Sequence, residues 1–202
     1  MAVIAATTVI ASVLLIVTGR LGWGAVQGGF IPARLTAELP ADHLFAIPFA
    51  LTPLTATLVH GGFLHLLLNL VILVFCGRQV ERALGAGPLV ALYVSGAYLA
   101  AATHWLFEPG SAAPMVGASG AVSALVAAYA LLFGERRAKP VGPIPADVIH
   151  VAWLAAAWIG IQFLIGVAGV GGVTVAIGAH IGGFVAGLIL ARPLLLWRYR
   201  RA

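Results

Sequence analysis

A serine flanked by glycines, Gly117-Ala118-Ser119-Gly120, lies in a stretch without charge, and a histidine, His180, lies in another uncharged stretch further along. Serine alone is a weak nucleophile, but an imidazole within reach can take its proton as general base and return it to a leaving amine. His65 and Asn69 are four residues apart, which sets them on one helix face about a turn from each other. Their side chains, with the backbone N–H of Ser119 and its neighbours at a helix start, could donate to a developing oxyanion. Gly117 and Gly120 let backbone and substrate come close to the serine. A triad would need a carboxylate as well. The acids are Glu38, Asp42, Glu81, Glu108, Glu135 and Asp147, all in loops or at helix ends, so the pattern predicts a Ser119/His180 dyad.

The elements that must position these groups are almost wholly apolar. The chain has 202 residues, 62% hydrophobic and 8% charged, with a mean hydropathy of +1.08; such a composition belongs in a bilayer. The net charge of +5 is scattered between apolar runs and forms no basic stripe, which excludes a nucleic-acid partner. Cys76 is the single cysteine, so no internal disulfide or cysteine metal cluster is expected, and it reads as a packing residue. The chemistry outlined above requires no metal and no organic cofactor. The first apolar run lacks a basic n-region, and Gly19-Arg20-Leu21 is a poor cleavage site, so a retained helix is expected there.

Six uncharged runs can cross a bilayer: Ala2–Thr18, Leu64–Phe75, Pro88–Phe107, Met115–Phe133, Val148–Gly166 and Val173–Leu190. The Gly-rich stretch Gly166 to Gly172 separates the last two. With both termini cytoplasmic, Arg78, Arg82, Arg136, Arg137, Lys139, Arg192, Arg198, Arg200 and Arg201 lie inside, and Arg20 and Arg34 outside. Leu44–Val59 is apolar too and could make a seventh crossing. Pro48, Pro53 and three threonines argue instead for an outer loop that dips into the membrane. In the six-span reading, spans two, four and six run the same way, so Ser119, His180 and His65 fall in one layer near the outer face. At a helical rise of about 1.5 Å per residue, Ser119 lies roughly 8 Å below Pro114. Polar groups clustered at one depth in a membrane mark a site.

Each residue alone has a plainer reading. Ser119 can pack as a small residue or bond its i−4 carbonyl, His180 can bridge helices or ligate haem, and Asn69 can be interhelical glue. Gly178/Gly182 and Gly183/Gly187 have small-xxx-small spacing and read as packing devices that would bring span six against span four. His43, His104 and His150 read as interfacial residues. Trp153, Trp158 and Phe163 on span five could belong to a lateral gate, although bilayer-facing or core roles suffice for them.

In chain order, "HGGFLHLLLN" (His60 to Asn69), "GASG" (Gly117 to Gly120) and "AHIGG" (Ala179 to Gly183) resemble the rhomboid intramembrane serine proteases. "GRQVERALG" (Gly77 to Gly85) is similar to the family's turn after span two, and the resemblance covers nearly the whole chain. It implies that Ser119 is the nucleophile and His180 the general base. It further implies that His65 and Asn69 help form the oxyanion hole, that Glu81 is structural, and that His60 anchors a loop outside the dyad. The family's membrane-embedded first loop favours six spans over seven. Two departures stand out. Ser123 replaces an aromatic that in many members packs on the catalytic histidine, and no Trp-Arg pair precedes His60.

The expectation is therefore an all-α, six-transmembrane-helix rhomboid-like bundle, a single domain over residues 1–202 with an outer loop at about 20–60 and a basic cytoplasmic tail at about 192–202. It would be a multi-pass endopeptidase of a bacterial plasma membrane that cleaves single-span or polytopic membrane proteins near the outer face. The alternatives are a non-enzymatic rhomboid-like chaperone that binds transmembrane helices, and a haem protein with His65 and His180 as axial ligands.

Overall fold

The computed structural model describes residues 1–36, 45–134, 139–168 and 176–200, with side chains left aside at 161–168. Glu38, Asp42, His43, Glu135, Arg136, Arg137, Arg201, the stretch from Gly169 to Val173 and the Phe163 side chain lie outside the described residues. Within them the chain is all-helical: α1 (Ala2–Val17), α2 (Leu21–Gly28), a short α3 (Thr52–Thr55), α4 (Phe63–Leu84), α5 (Ala86–Phe107), α6 (Ser119–Phe133), α7 (Ala146–Ala168) and α8 (Ile177–Tyr199). The helices α4, α5 and α8 are long and apolar enough to cross a membrane, and α1, the stretch Phe49–Leu58, α6 and the Ala146–Gly160 part of α7 are shorter apolar helices.

The α4 helix shows why these sequences need lipid. Leu66, Asn69, Leu73, Cys76, Gly77, Val80 and Leu84 recur at three- and four-residue spacing on its buried face. The opposite face exposes Leu64, Leu67, Leu68, Val71 and Phe75, each more than half accessible. A helix apolar on both faces has its outer face in hydrocarbon. The α6 helix is different. Gly120 to Leu125, Ala127, Ala128 and Leu131 are all buried, so it is enclosed by its neighbours. Its Gly, Ala and Ser residues let those neighbours come close.

The two small-residue stripes of α8 face two different helices. A Cβ at Gly182 would collide with Thr103 and the Leu99 carbonyl of α5, and one at Gly178 would stand 3.1 Å from Phe107. A Cβ at Gly183 would collide with the Gly120 carbonyl of α6, and one at Gly187 with the Ala124 carbonyl. The contacts advance together along α6 and α8, so these helices are parallel, and α5 runs antiparallel to both. At the far end, the Met1 amine and Glu81 Oε1 are 2.7 Å apart, tying α1 to the end of α4. Arg192 pairs with Asp147 at 3.1 Å.

One helix boundary differs from the sequence reading. The fourth apolar run becomes helical only at Ser119, because Gly117 has φ +114°, and Met115 pairs with Phe30 through two backbone hydrogen bonds. A helical rise therefore does not apply between Pro114 and Ser119. The run 45–59 is no crossing helix; it forms short turns at Phe49–Leu51, Thr52–Thr55 and Ala56–Leu58. Between α1 and α4, Leu21–Gly28 forms a helix that the sequence reading did not anticipate.

Candidate active site

Three parallel helices begin in one layer. Ser119 is the first residue of α6, His180 is in the first turn of α8 and His65 is in the first turn of α4. Helix N-termini carry roughly half a positive charge each, so their convergence favours any negative charge that develops among them. Within the layer, His180 Nε2 lies 2.7 Å from Ser119 Oγ.

His65 is oriented by its own loop. The Gly61 N–H donates to its Nδ1 at 3.2 Å, which leaves the ring hydrogen on Nε2. A methyl group on Gly117 would stand 2.9 Å from that Nε2 and 3.8 Å from Ser119 Oγ. The imidazole N–H and the serine hydroxyl therefore flank one small space over Gly117. This is where glycine is needed twice, for the left-handed backbone and for the absent side chain.

Asn69 is buried and donates through Nδ2 to the His65 carbonyl at 2.9 Å. It braces the His65 peptide and keeps a second amide hydrogen. Of the backbone N–H groups at the start of α6, Gly117 donates to the Ala56 carbonyl at 2.9 Å and Ala118 to His60 Nε2 at 3.2 Å. The first bond within α6 is Val122 to Ala118, so the N–H groups of Ser119 and Gly120 have no carbonyl of their own helix to meet. Gly120 itself packs against Ala100 and Ala179 rather than lining the space over Gly117.

His60 is completely buried, and its ring meets that of His65 edge-on at 5.1 Å. Ser123 takes no part in holding the His180 ring. It donates to the Ser119 carbonyl at 2.7 Å and lies beneath Gly183, where a Cβ would be 3.2 Å from its own. The space that an aromatic would need is filled by α8. In place of a Trp-Arg pair, the segment between α1 and α4 is tied by Arg34, which lies 4.0 Å over the Phe45 ring and 5.4 Å from that of Phe49 and donates to the Ile47 carbonyl at 3.2 Å.

Sequence reasoning missed Ser12, Ala56 and Arg34 as supports. The only available signal was Thr8 and Ser12, two hydroxyl residues one turn apart in an apolar run, and both are fully buried. His104, read as interfacial, is instead buried at 6% exposure on the packed face of α5. Trp153 is 70% exposed, as expected of a lipid-facing side chain, and Trp158 stacks on Phe184 at 5.4 Å. A haem between His65 and His180 does not fit this arrangement. His180 Nε2 is engaged by Ser119, and Gly117 lies so near the His65 ring that even one added methyl group would stand 2.9 Å from its Nε2, which leaves no room for a porphyrin.

An apolar helical bundle that presents a serine hydroxyl to an imidazole where parallel helices begin defines a class: integral membrane proteins with a serine–histidine site. The rhomboid domain family matches residues 50–197, and the chain belongs to the rhomboid family. It is similar to the rhomboid protease GlpG of Enterobacter sp. (strain 638), with 33% identity over 139 residues that cover 68% of this chain and 46% of the relative. It is also similar to the rhomboid protease GlpG of Serratia proteamaculans (strain 568), 33% identical over 66% of this chain and 44% of the relative. The GlpG of Yersinia pestis (strain Pestoides F) is 32% identical over the same shares. The chain thus spans about half the length of the curated relatives it matches.

Proposed function

We propose that this rhomboid is an intramembrane serine endopeptidase acting through a Ser119/His180 dyad on other transmembrane proteins. The observation that carries the proposal is the 2.7 Å approach of His180 Nε2 to Ser119 Oγ at the convergence of three helix starts. In the first step Ser119 Oγ bonds to the scissile carbonyl carbon while its proton passes to His180 Nε2. The carbonyl oxygen becomes an oxyanion in the space over Gly117, met by the His65 Nε2–H, the Ser119 N–H and the second amide hydrogen of Asn69. The C–N bond then breaks as His180 gives its proton to the leaving amine. A water, deprotonated by the same imidazole, releases the acyl group and restores the hydroxyl. A regular helix hides its carbonyls in its own hydrogen bonds, so the substrate segment must be unwound or helix-weak.

The proposal includes six membrane crossings, by α1 and α4 to α8, with both termini cytoplasmic in a bacterial plasma membrane. Cleavage then falls near the outer face, where water reaches Ser119. The mechanism draws on side chains and backbone alone.

The test compares wild type, Ser119→Ala and His180→Ala in liposomes, for cleavage of a single-span model substrate and for fluorophosphonate labelling. Wild-type cleavage and labelling, both lost in Ser119→Ala, support the dyad. A folded wild type that binds transmembrane helices, takes no label and cuts nothing overturns it in favour of a helix-binding chaperone.

A further inference from the structure

The turn that presents Ser119 is held from a helix that lies outside the matched rhomboid domain. The domain begins at residue 50, whereas α1 ends at Val17. From α1, fully buried Ser12 places its Oγ 2.8 Å from the Leu58 carbonyl and 2.9 Å from His60 Nδ1. On the other side of the same ring, the Ala118 N–H points at His60 Nε2 at 3.2 Å.

These three contacts have one consistent set of hydrogens. An amide N–H can only donate, so His60 Nε2 is the acceptor and carries no hydrogen. A neutral imidazole then has its hydrogen on Nδ1 and donates it to Ser12 Oγ. The Leu58 carbonyl can only accept, so the Ser12 hydroxyl hydrogen goes there. The chain therefore runs in one direction, from Ala118 N–H through His60 and Ser12 to Leu58 O. The opposite tautomer would set an Nε2–H against the Ala118 N–H, donor against donor.

We propose that Ser12 is a positioning residue for the nucleophile: it selects the Nδ1–H tautomer of His60 and through it fixes the Ala118 peptide that precedes Ser119. The inference rests on the dyad reading for its effect on catalysis, but not for the tautomer itself. A fixed Ala118 N–H points away from the space over Gly117 and leaves the Ser119 N–H to the oxyanion. Without the Ser12 hydroxyl the buried Nδ1–H has no acceptor, so the Nε2–H tautomer competes once the Ala118 N–H turns away, and the turn loses its single setting.

Two measurements on the full chain test this. In the first, histidine-labelled protein in detergent is examined by ¹⁵N NMR, with His60→Gln used to assign the signal. The expectation is a single Nδ1–H tautomer for His60 in wild type and in Ser12→Thr, and a mixture in Ser12→Ala. An Nε2–H tautomer in wild type overturns the proposal whether or not the protein is a protease, and whether or not Ser12→Ala folds. The second is the rate of fluorophosphonate labelling together with kcat and KM for a single-span substrate. Ser12→Ala is expected to lose tenfold or more in labelling rate and kcat with KM little changed, and Ser12→Thr to recover most of that loss. Wild-type rates in a folded Ser12→Ala, or an equal loss in Ser12→Thr with the wild-type tautomer intact, overturn it. A wild type that takes no label fails the dyad reading instead, and the NMR result still decides the tautomer.

Discussion

Gly183 of α8 lies so close to the carbonyl of Gly120, the residue after Ser119, that no Cβ fits between them. Because Ser119 and His180 sit within three residues of this contact on their respective helices, the separation of α6 and α8 sets the separation of hydroxyl and imidazole.

Gly183→Ala is therefore expected to push the two helices apart. Overpacking of this kind costs about 1–3 kcal/mol, and the 2.7 Å contact would lengthen beyond hydrogen-bond range. Thermal unfolding should show a lowered but cooperative transition, and Ser119 labelling should fall by more than the folded fraction does. Normal labelling in a folded variant would mean that helix separation does not govern the dyad.

Gly117→Ala carries two penalties. The φ of +114° is strained for any L side chain, by about 1–3 kcal/mol, and the new methyl would press on the His65 ring at 2.8 Å from Cε1. Substrate turnover should fall at least a hundredfold, on the order of the loss of one oxyanion donor. Steady-state cleavage beside a melting curve separates this from simple unfolding.

At Ser123 the expected result depends on size. Ser123→Ala removes only the bond to the Ser119 carbonyl, a back-bond within its own helix worth little, and activity should stay within about threefold. Ser123→Phe has no room beneath Gly183 and should destabilise the bundle by about 1–3 kcal/mol or more. An active, stable Ser123→Phe would show that α8 can yield to an aromatic at this position.

Arg34→Ala removes the contacts with Phe45 and Phe49 and the bond to the Ile47 carbonyl. Together these are worth about 1–3 kcal/mol to the loop. Limited proteolysis should then cut near residues 45–50 while the helices stay intact. Arg34→Lys should rescue only partly, because an ammonium cannot lie flat on a ring and donate sideways at once.

The membrane class was legible in the sequence because a chain this apolar has no other solvent in which to bury its helices. The order of long helices followed from the spacing of charges, and Ser119, His180 and His65 stood out because polar groups are costly in hydrocarbon. The start of α6 was misplaced: hydropathy registers Met115 to Ala118 as apolar, whereas the left-handed φ of Gly117 and the pairing of Met115 with Phe30 stop the helix there. Ala56 and Arg34 carried no signal and Ser12 only its one-turn spacing from Thr8, since a serine in an apolar helix or a lone arginine in a loop has no local pattern that names its partner. Their partners lie far along the chain, from Ser12 to His60 and from Ala56 to Gly117. Local sequence determined which residues carry polar, potentially reactive groups and which stretches are apolar helices, through side-chain chemistry and hydrophobicity. Only the packing of α8 on α6 and of α1 on the His60 loop decided how close those groups come and where their hydrogens point, because both depend on contacts between residues that the chain keeps far apart.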